Sequence, residues 1–486
     1  MNLSSFLIQF LNGLAGASSL FLVAAGLSLI FGITRIVNFA HGSLYMLGLY
    51  IAYTLTEYFG SGPLGFWGGV LLSAVAVAII GAAIEILLLR RIYRAPELFQ
   101  LLATFALVLV IKDAALYIWG AEELLGSRAP GLTGSIELFG QRFPTYNLLL
   151  MCIGPAVLGL LWLLLTRTRW GSLIRAATQD REMVGALGVN QSWLFTSVFA
   201  LGAFLAGLGG ALQLPNEPAS LNLDLQTIGD AFVVVVVGGM GSIPGAYLAA
   251  LLIAVTKAIC AAIGTVQVFG VEFSFSKLTL VVEFLIMAVV LVVRPWGLLG
   301  RPQGASRNVT DAEMPMRPAT PLLRNTGFVV LAMLLALPLF NTSFPYALTL
   351  SIDLLIAALF ATSLHFIMGP AGMHSFGHAA YFGLGAYGAA LFLKAMSMPM
   401  ELSMIFAPVV AGLGALLFGW FCVRLSGVYL AMLTLAFSQI VWSVIYQSDE
   451  FTGGSNGIVG ICRLPGWPTR AITSTSRWWS APGASC

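Results

Sequence analysis

Long apolar runs separated by short polar breaks dominate the chain. They fall at 5–33, 38–57, 64–89, 98–119, 146–166, 192–213, 228–263 and 277–293, then at 326–342, 347–368, 375–395, 403–423 and 427–447. Most approach or exceed the roughly 20 residues that a helix needs to cross a bilayer. Apolar and polar positions do not alternate with period two, so the pattern predicts helices and not a β-barrel. The run at 228–263 is broken by GGMGSIPG at 238–245. That break predicts either two short helices or a helix plus a re-entrant segment, since broken helices survive in a membrane only where protein or water satisfies the backbone. The last 39 residues, 448–486, are rich in Gly, Ser, Thr and Trp and contain no span. The expected fold is an all-α, polytopic integral membrane protein with about 13 transmembrane helices.

Composition agrees and narrows the function classes. Of 486 residues, 59% are hydrophobic and 9% charged, against about 25% charged in a soluble domain. That excludes most soluble enzymes and also excludes disorder. A net charge of +3 is too small to argue for nucleic acid; the expected surroundings are a lipid bilayer. The five cysteines show no metal-ligand spacing and sit mostly in apolar runs, where Cys acts as a small hydrophobe. No basic residue precedes Arg35, so the N-terminus lacks the charged start of a secretory signal and is expected to be an uncleaved first helix.

All but four of the basic residues are Arg, and they cluster. Arg90, Arg91 and Arg94 form one group. Arg167, Arg169, Arg175 and Arg181 form another, and Arg294, Arg301, Arg307, Arg317 and Arg324 a third. The positive-inside rule puts all three on the cytoplasmic side. The loops at 120–145 and 214–227 carry Glu122, Glu123, Glu137, Glu217 and Asp224 and fit the outside.

The chain also repeats itself. NFAHGSLYMLGLY at 38–50 echoes SFGHAAYFGLGAY at 375–387, matching Phe39 with Phe376, His41 with His378, Gly48 with Gly385 and Tyr50 with Tyr387. LLATFALV around Thr104 echoes AMLTLAFS around Thr434. Arg90 and Arg91 have a counterpart in Arg424. Basic marks at equivalent places imply two halves in the same orientation, a parallel repeat about an axis along the membrane normal. The extra run at 326–342 lets a cytoplasmic linker feed the second copy.

The segment RWGSLIRAATQDREMVGALGVN at 169–190 is a long polar interruption. Read as one helix, it places Leu173, Ala176, Ala177, Met183, Val184 and Leu187 on one face, with Asp180 inside that face. Arg175, Thr178, Gln179 and Glu182 lie opposite, and Arg181 sits to one side. Such a helix lies on a membrane surface, fills a groove on a partner, or merely connects two spans.

IFGITRIVNFAHGSLYMLGLY (30–50), IRAATQDREMVGALGVN (174–190), VVVGGMGSIPGA (235–246) and VVRPWGLLG (292–300) resemble the first permease of branched-chain amino acid ABC transporters. GPAGMHSFGHAAYFGLGAYGAA (369–390), LSGVYLAMLTLAFSQ (425–439) and FTGGSNGIVGI (451–461) resemble the second permease of that system. The chain looks like a fusion of the two. It divides into a first permease half at 1–300, a cytoplasmic linker at 301–325, an incomplete second half at 326–461 and a divergent tail at 462–486. The second half lacks a counterpart of the 169–190 segment, so the expectation is a frameshift or truncation; a short variant completed by another permease chain is the alternative.

The resemblance implies an ATP-driven importer of branched-chain or related amino acids in the bacterial inner membrane. The segment 172–190 would be the coupling helix that docks on cytoplasmic ATP-binding subunits. Its candidate residues are Arg175, Ala176, Asp180, Arg181, Gly185, Leu187 and Gly188, with Gly185 at the loop's characteristic glycine. The ATP belongs to the partner, and no cofactor is expected in the chain. None of Lys112, Lys257, Lys277 and Lys394 follows a Gly as a phosphate-binding loop requires. A periplasmic binding protein would deliver the solute. The rivals are a secondary transporter with a proton or sodium site, and a non-functional truncated permease.

His41, His378, Gly239 and Gly241 are candidate pathway-lining residues. The alternatives are structural histidines at helix ends and glycines that serve packing. Asn38 and Ser375 fit helix N-caps. Lys112, Asp113 and Glu283 lie in or near apolar runs, where pairing between helices is the expected way to hold them. No paired carboxylates, Ser–His–Asp set or metal cluster emerges, so no enzyme is expected.

Overall fold

The computed structural model describes residues 3–34, 37–60, 62–93, 95, 97–268, 271–300, 320–336, 345–425 and 427–459. Arg35, Arg94, most of the 301–325 linker and the 462–486 tail lie outside them. The chain divides into two compact units, Met1–Pro302 and Gln303–Cys486.

Unit 1 begins with α1 (Leu3–Thr34), α2 (His41–Phe59) and α3 (Pro63–Ile84). A π-turn at Glu85–Leu89 leads α3 into α4 (Arg90–Ile92), and α5 (Glu97–Trp119) follows. A hairpin of β1 (Ser135–Leu138) and β2 (Gln141–Pro144) comes next. Then come α6 (Thr145–Arg167), α7 (Arg169–Gln179), α8 (Arg181–Ala186), α9 (Gln191–Gln213), α10 (Leu223–Gly238) and α11 (Ile243–Ile263). A second hairpin, β3 (Thr265–Val268) and β4 (Val271–Ser274), leads to α12 (Phe275–Leu278) and α13 (Val282–Val293). Both hairpins are antiparallel and two-stranded. Four-residue strands are too short to leave a period-two signature, and the sequence pattern did not predict them.

The core of unit 1 is built by α1, α2, α9, α10 and α11. Small residues set the distances, as expected where no hydrophobic force drives helices together. A methyl group at Gly48 of α2 would collide with the Gly207 carbonyl of α9, and one at Gly210 with the Tyr45 carbonyl. Around this core, α5 and α6 expose large apolar side chains, among them Leu102, Leu109, Val110, Leu160, Trp162 and Leu163. A lipid-facing wall has this composition. Among the described residues of the chain, nine helices are long and apolar enough to cross a membrane. The less apolar α2 is mostly buried among its neighbours, so it needs no lipid-compatible face.

The break at 238–245 separates two helices, α10 and α11. Ser242 caps α11 by accepting from the Gly245 amide at 3.2 Å. The open carbonyls at the end of α10 are taken by the VVRPWGLLG segment. Leu298 N donates to Val237 O at 2.8 Å, and Leu299 N to Gly238 O at 3.1 Å.

Unit 2 contains α14 (Pro321–Ala336), α15 (Pro345–Met368), α16 (His378–Ala395), α17 (Met400–Cys422), α18 (Gly427–Gln447) and α19 (Asp449–Thr452), with a 3-10 turn at Gly454–Asn456. The repeat seen in the sequence has a structural counterpart, since His41 and His378 each open a helix. Neither predicted cap holds. Ala40 and Gly377 occupy the cap positions without side-chain bonds. Asn38 instead accepts from the Ala40 amide at 3.1 Å, closing a local turn before the helix starts.

Candidate functional site

The segment after α6 is two helices, not one. Three polar side chains punctuate it, each accepting from an amide three residues on. Thr168 accepts from Gly171 N at 3.0 Å, Asp180 from Met183 N at 3.0 Å and Asn190 from Trp193 N at 3.1 Å. These are N-caps of α7, α8 and α9. Asp180 is therefore extended, with φ −146° and ψ 103°, and the single apolar face read across it is interrupted there.

Gly171, Ile174, Ala177 and Val184 point inward and are buried. A Cβ at Gly171 would strike the Leu164 and Leu165 carbonyls, and Trp170 Nε1 donates to Ser197 Oγ at 2.8 Å. Of the seven candidate residues, Arg175, Ala176, Asp180, Leu187 and Gly188 are exposed and Gly185 is half-buried. The Arg181 side chain lies outside the described residues. Met183 and Leu187 stand out as apolar groups 58% and 76% exposed. Gly188 has a φ of +83°, which lets the chain turn back into α9. A Cβ at Gly185 would meet the amide end of Gln191.

Beside this segment lies a polar clamp that the sequence did not single out. Glu85, fully buried in the π-turn, accepts from Arg90 Nη2 at 3.1 Å and Tyr93 OH at 3.1 Å, and from Thr196 Oγ1. Arg90 Nη2 also donates to Thr196 Oγ1 at 2.6 Å. The clamp ties the end of α3 to the first turns of α9. Its available signal was a lone Glu in an apolar run, five residues before an Arg.

The second feature is a cavity of about 520 Å³ bordered by α1, α2, α10 and α11. Its lining includes Gln213 at the end of α9 and Ala254, Ala258 and Ala261 in the last turns of α11, so it lies at the end of α9 opposite the segment from Thr168 to Asn190. Polar groups on its wall include Asn12, Tyr45, Gln213, Glu217, Asp230 and Lys257. Lys257 Nζ is 2.7 Å from Glu283 Oε2 and 3.6 Å from Asp230 Oδ2. Tyr45 OH donates to Glu217 Oε2 at 3.2 Å. Burial pushes the Glu217 carboxyl above its usual range, partly offset by the Tyr45 bond. A second interhelical ion contact joins Lys112 of α5 to Asp224 of α10 at 4.0 Å. Pairing between helices is thus how Glu283 and Lys112 are held. Asp230 and the role of Lys257 had no sequence signal beyond a charge in an apolar run.

None of the four pathway candidates lines this cavity. His41 is fully buried, with Nε2 3.0 Å from the Val23 carbonyl. His378 pairs its Nε2 with Ser363 Oγ at 2.7 Å and lines a mostly apolar cavity of about 370 Å³ in unit 2. Gly239 faces the backbone of Trp296 and Gly300, and Gly241 faces Gly32. The geometry at both glycines is close packing.

Apolar helices flanking a core, a polar cavity within it and a charged segment at one end define a multi-pass membrane transport protein. The chain belongs to the family described as "Branched-chain amino acid transport system / permease component", which it matches over residues 9–291 and 346–479. It is 31% identical over 308 residues to the high-affinity branched-chain amino acid transport system permease protein BraD of Pseudomonas aeruginosa, covering 61% of this chain and 97% of that protein. LivH, the corresponding protein of Escherichia coli K12, is 27% identical over 308 residues, covering 61% of this chain and 96% of LivH. A different permease protein, LivM of Salmonella typhimurium, is 29% identical over 130 residues, covering 26% of this chain and 31% of LivM. No solved structure matches the chain.

Proposed function

We propose that this chain is the membrane-spanning component of an ATP-driven importer of branched-chain or related amino acids, and that it joins a LivH-like half to a LivM-like segment. It works in the inner membrane. It forms the solute pathway and docks on separate ATP-binding subunits through the segment from Thr168 to Asn190. A periplasmic binding protein supplies the solute, and a further permease chain is a candidate partner for the second half.

The observation that carries the coupling reading is the division of labour within that segment. One side is anchored by Gly171, Ile174, Ala177 and Val184, while Met183, Leu187 and Arg175 remain exposed. An apolar pair on a rigid, capped support is the form that a groove on a partner accepts. The Glu85–Arg90–Thr196 clamp next to it gives a stiff route for a push on α7 and α8 to reach α3 and α9.

The test is capture of the tagged full chain from membranes, with identification of what accompanies it. An ATPase subunit is expected with the parent chain and is expected to be lost with the double substitution Met183→Asp/Leu187→Asp. Uptake in proteoliposomes that follows an ion gradient and ignores ATP would overturn the reading in favour of a secondary transporter.

A further inference from the structure

We propose that the cavity of unit 1 binds the zwitterionic head group of an α-amino acid. Lys257 takes the carboxylate, Asp230 and Glu217 take the α-ammonium, and the apolar wall takes the side chain. This deepens the permease reading above and rests on it.

Charged side chains inside a membrane-spanning bundle are costly and mark pathways or relays. A pair that served only to hold two helices together would need one partner of each sign and no access. Here two carboxylates flank one ammonium, and a third, Glu217, lines the same cavity. Among the described residues that line the cavity, Lys257 is the one basic side chain. Glu283, 6% exposed, sits behind it at 2.7 Å and fixes the position of Nζ. Asp230 stands farther off at 3.6 Å, on the cavity wall, and both it and Lys257 remain about 30% open. Lys257 therefore has a permanent partner on its buried side and a loose one on its open side.

A zwitterion fits that arrangement. Its carboxylate meets Lys257 and its ammonium meets Asp230, so every charge gains an opposite neighbour. Glu217 adds a second acceptor, held toward the cavity by Tyr45. A simple carboxylate would sit beside Asp230 with that like charge unrelieved, and a simple amine would engage Asp230 and Glu217 but leave the open side of Lys257 without a carboxylate. The remaining wall includes Leu20, Val23, Leu223 and Ala254, a surface for an apolar side chain. A volume of about 520 Å³ falls within the roughly 300–1,000 Å³ of small-molecule sites.

The experiment uses the full chain in lipid nanodiscs carrying Thr227→Cys, a lining position one turn before Asp230. Its modification by a water-soluble thiol reagent is followed, counted above the rate of the parent chain. L-Leucine is expected to slow it about fivefold, the effect of filling roughly four-fifths of the sites. Isocaproate, which lacks the amine, is expected to leave it unchanged, and isoamylamine, which lacks the carboxylate, to protect clearly less than leucine. This comparison needs no change in the charged residues, so it stands even where a charge variant fails to fold. Lys257→Gln and Asp230→Asn, added singly, are each expected to abolish protection. Protection that survives both, or equal protection by either analogue, would overturn the site. ATP-driven uptake by the assembled system is measured in parallel. Uptake without protection overturns the site and leaves the permease reading standing; protection without uptake supports the site and overturns the coupling.

Discussion

Replacing Lys257 by Met removes the cation from between two carboxylates and leaves a side chain of similar length. At an effective dielectric near 20, a charge pair at the observed 2.7 Å attracts by about 6 kcal/mol and one at 3.6 Å by about 5 kcal/mol. Desolvation of the partners offsets most of that attraction. What the substitution exposes is the leftover cost, since removing one partner of a buried pair typically destabilises by about 3–5 kcal/mol. Lys257 is 30% open to the cavity, so water screens part of the loss and about 2–3 kcal/mol is expected. Glu283→Gln added to Lys257→Met removes the more buried carboxylate and leaves only Asp230, which water reaches. The double variant is therefore expected to recover about half of the loss, roughly 1–1.5 kcal/mol relative to Lys257→Met alone. The assay is the fraction of purified full chain that remains monodisperse after heating, compared across parent, single and double variants at one pH. A Lys257→Met midpoint equal to the parent's, or a double variant equal to the sum of the singles, would refute the ion-cluster account.

Gly185→Glu is expected to abolish transport while leaving membrane insertion intact, because the side chain it crowds is the movable end of Gln191; uptake assays beside quantitation of the inserted chain check both halves. Gly239→Ala introduces a Cβ at φ +100°, against the Gly300 amide. It is expected to cost at least about 1–3 kcal/mol in backbone strain, read as a lower melting midpoint. Gly48→Val is expected to separate α2 from α9 and to lower the yield of folded chain, whereas the same change at Gly68, with nothing near its Cβ, should be tolerated. A parent-like yield from Gly48→Val would count against the close packing of those helices.

Much of the fold was legible because the bilayer leaves the backbone few choices. The apolar runs became helices, the GGMGSIPG break became the turn between α10 and α11, and the repeat around His41 and His378 became two helix starts. Where the reading went astray, local hydrogen bonding decided. Asp180 fits an amphipathic face by spacing, yet its carboxylate serves better as a cap, and one helix became two. Asn38 looked like a helix cap and closes the turn before the helix instead. The residues expected to dock a partner were singled out by their position in a polar interruption. The cavity could not be found that way. Asp230, Lys257 and Glu283 sit on three different helices, and nothing in their spacing says that they face one another.

The division has a physical basis. The sequence by itself determined that this chain lives in a membrane and does so as helices, because in hydrocarbon each backbone N–H and C=O must find its partner within the protein. That requirement acts locally and shows as run length and composition. Which side chains meet depends on how far each helix is rotated and how closely it approaches the next. Contacts such as Gly48 against Gly207 set those distances between residues far apart in the chain. Tertiary structure alone therefore decided that one lysine would stand between two carboxylates on the wall of a cavity.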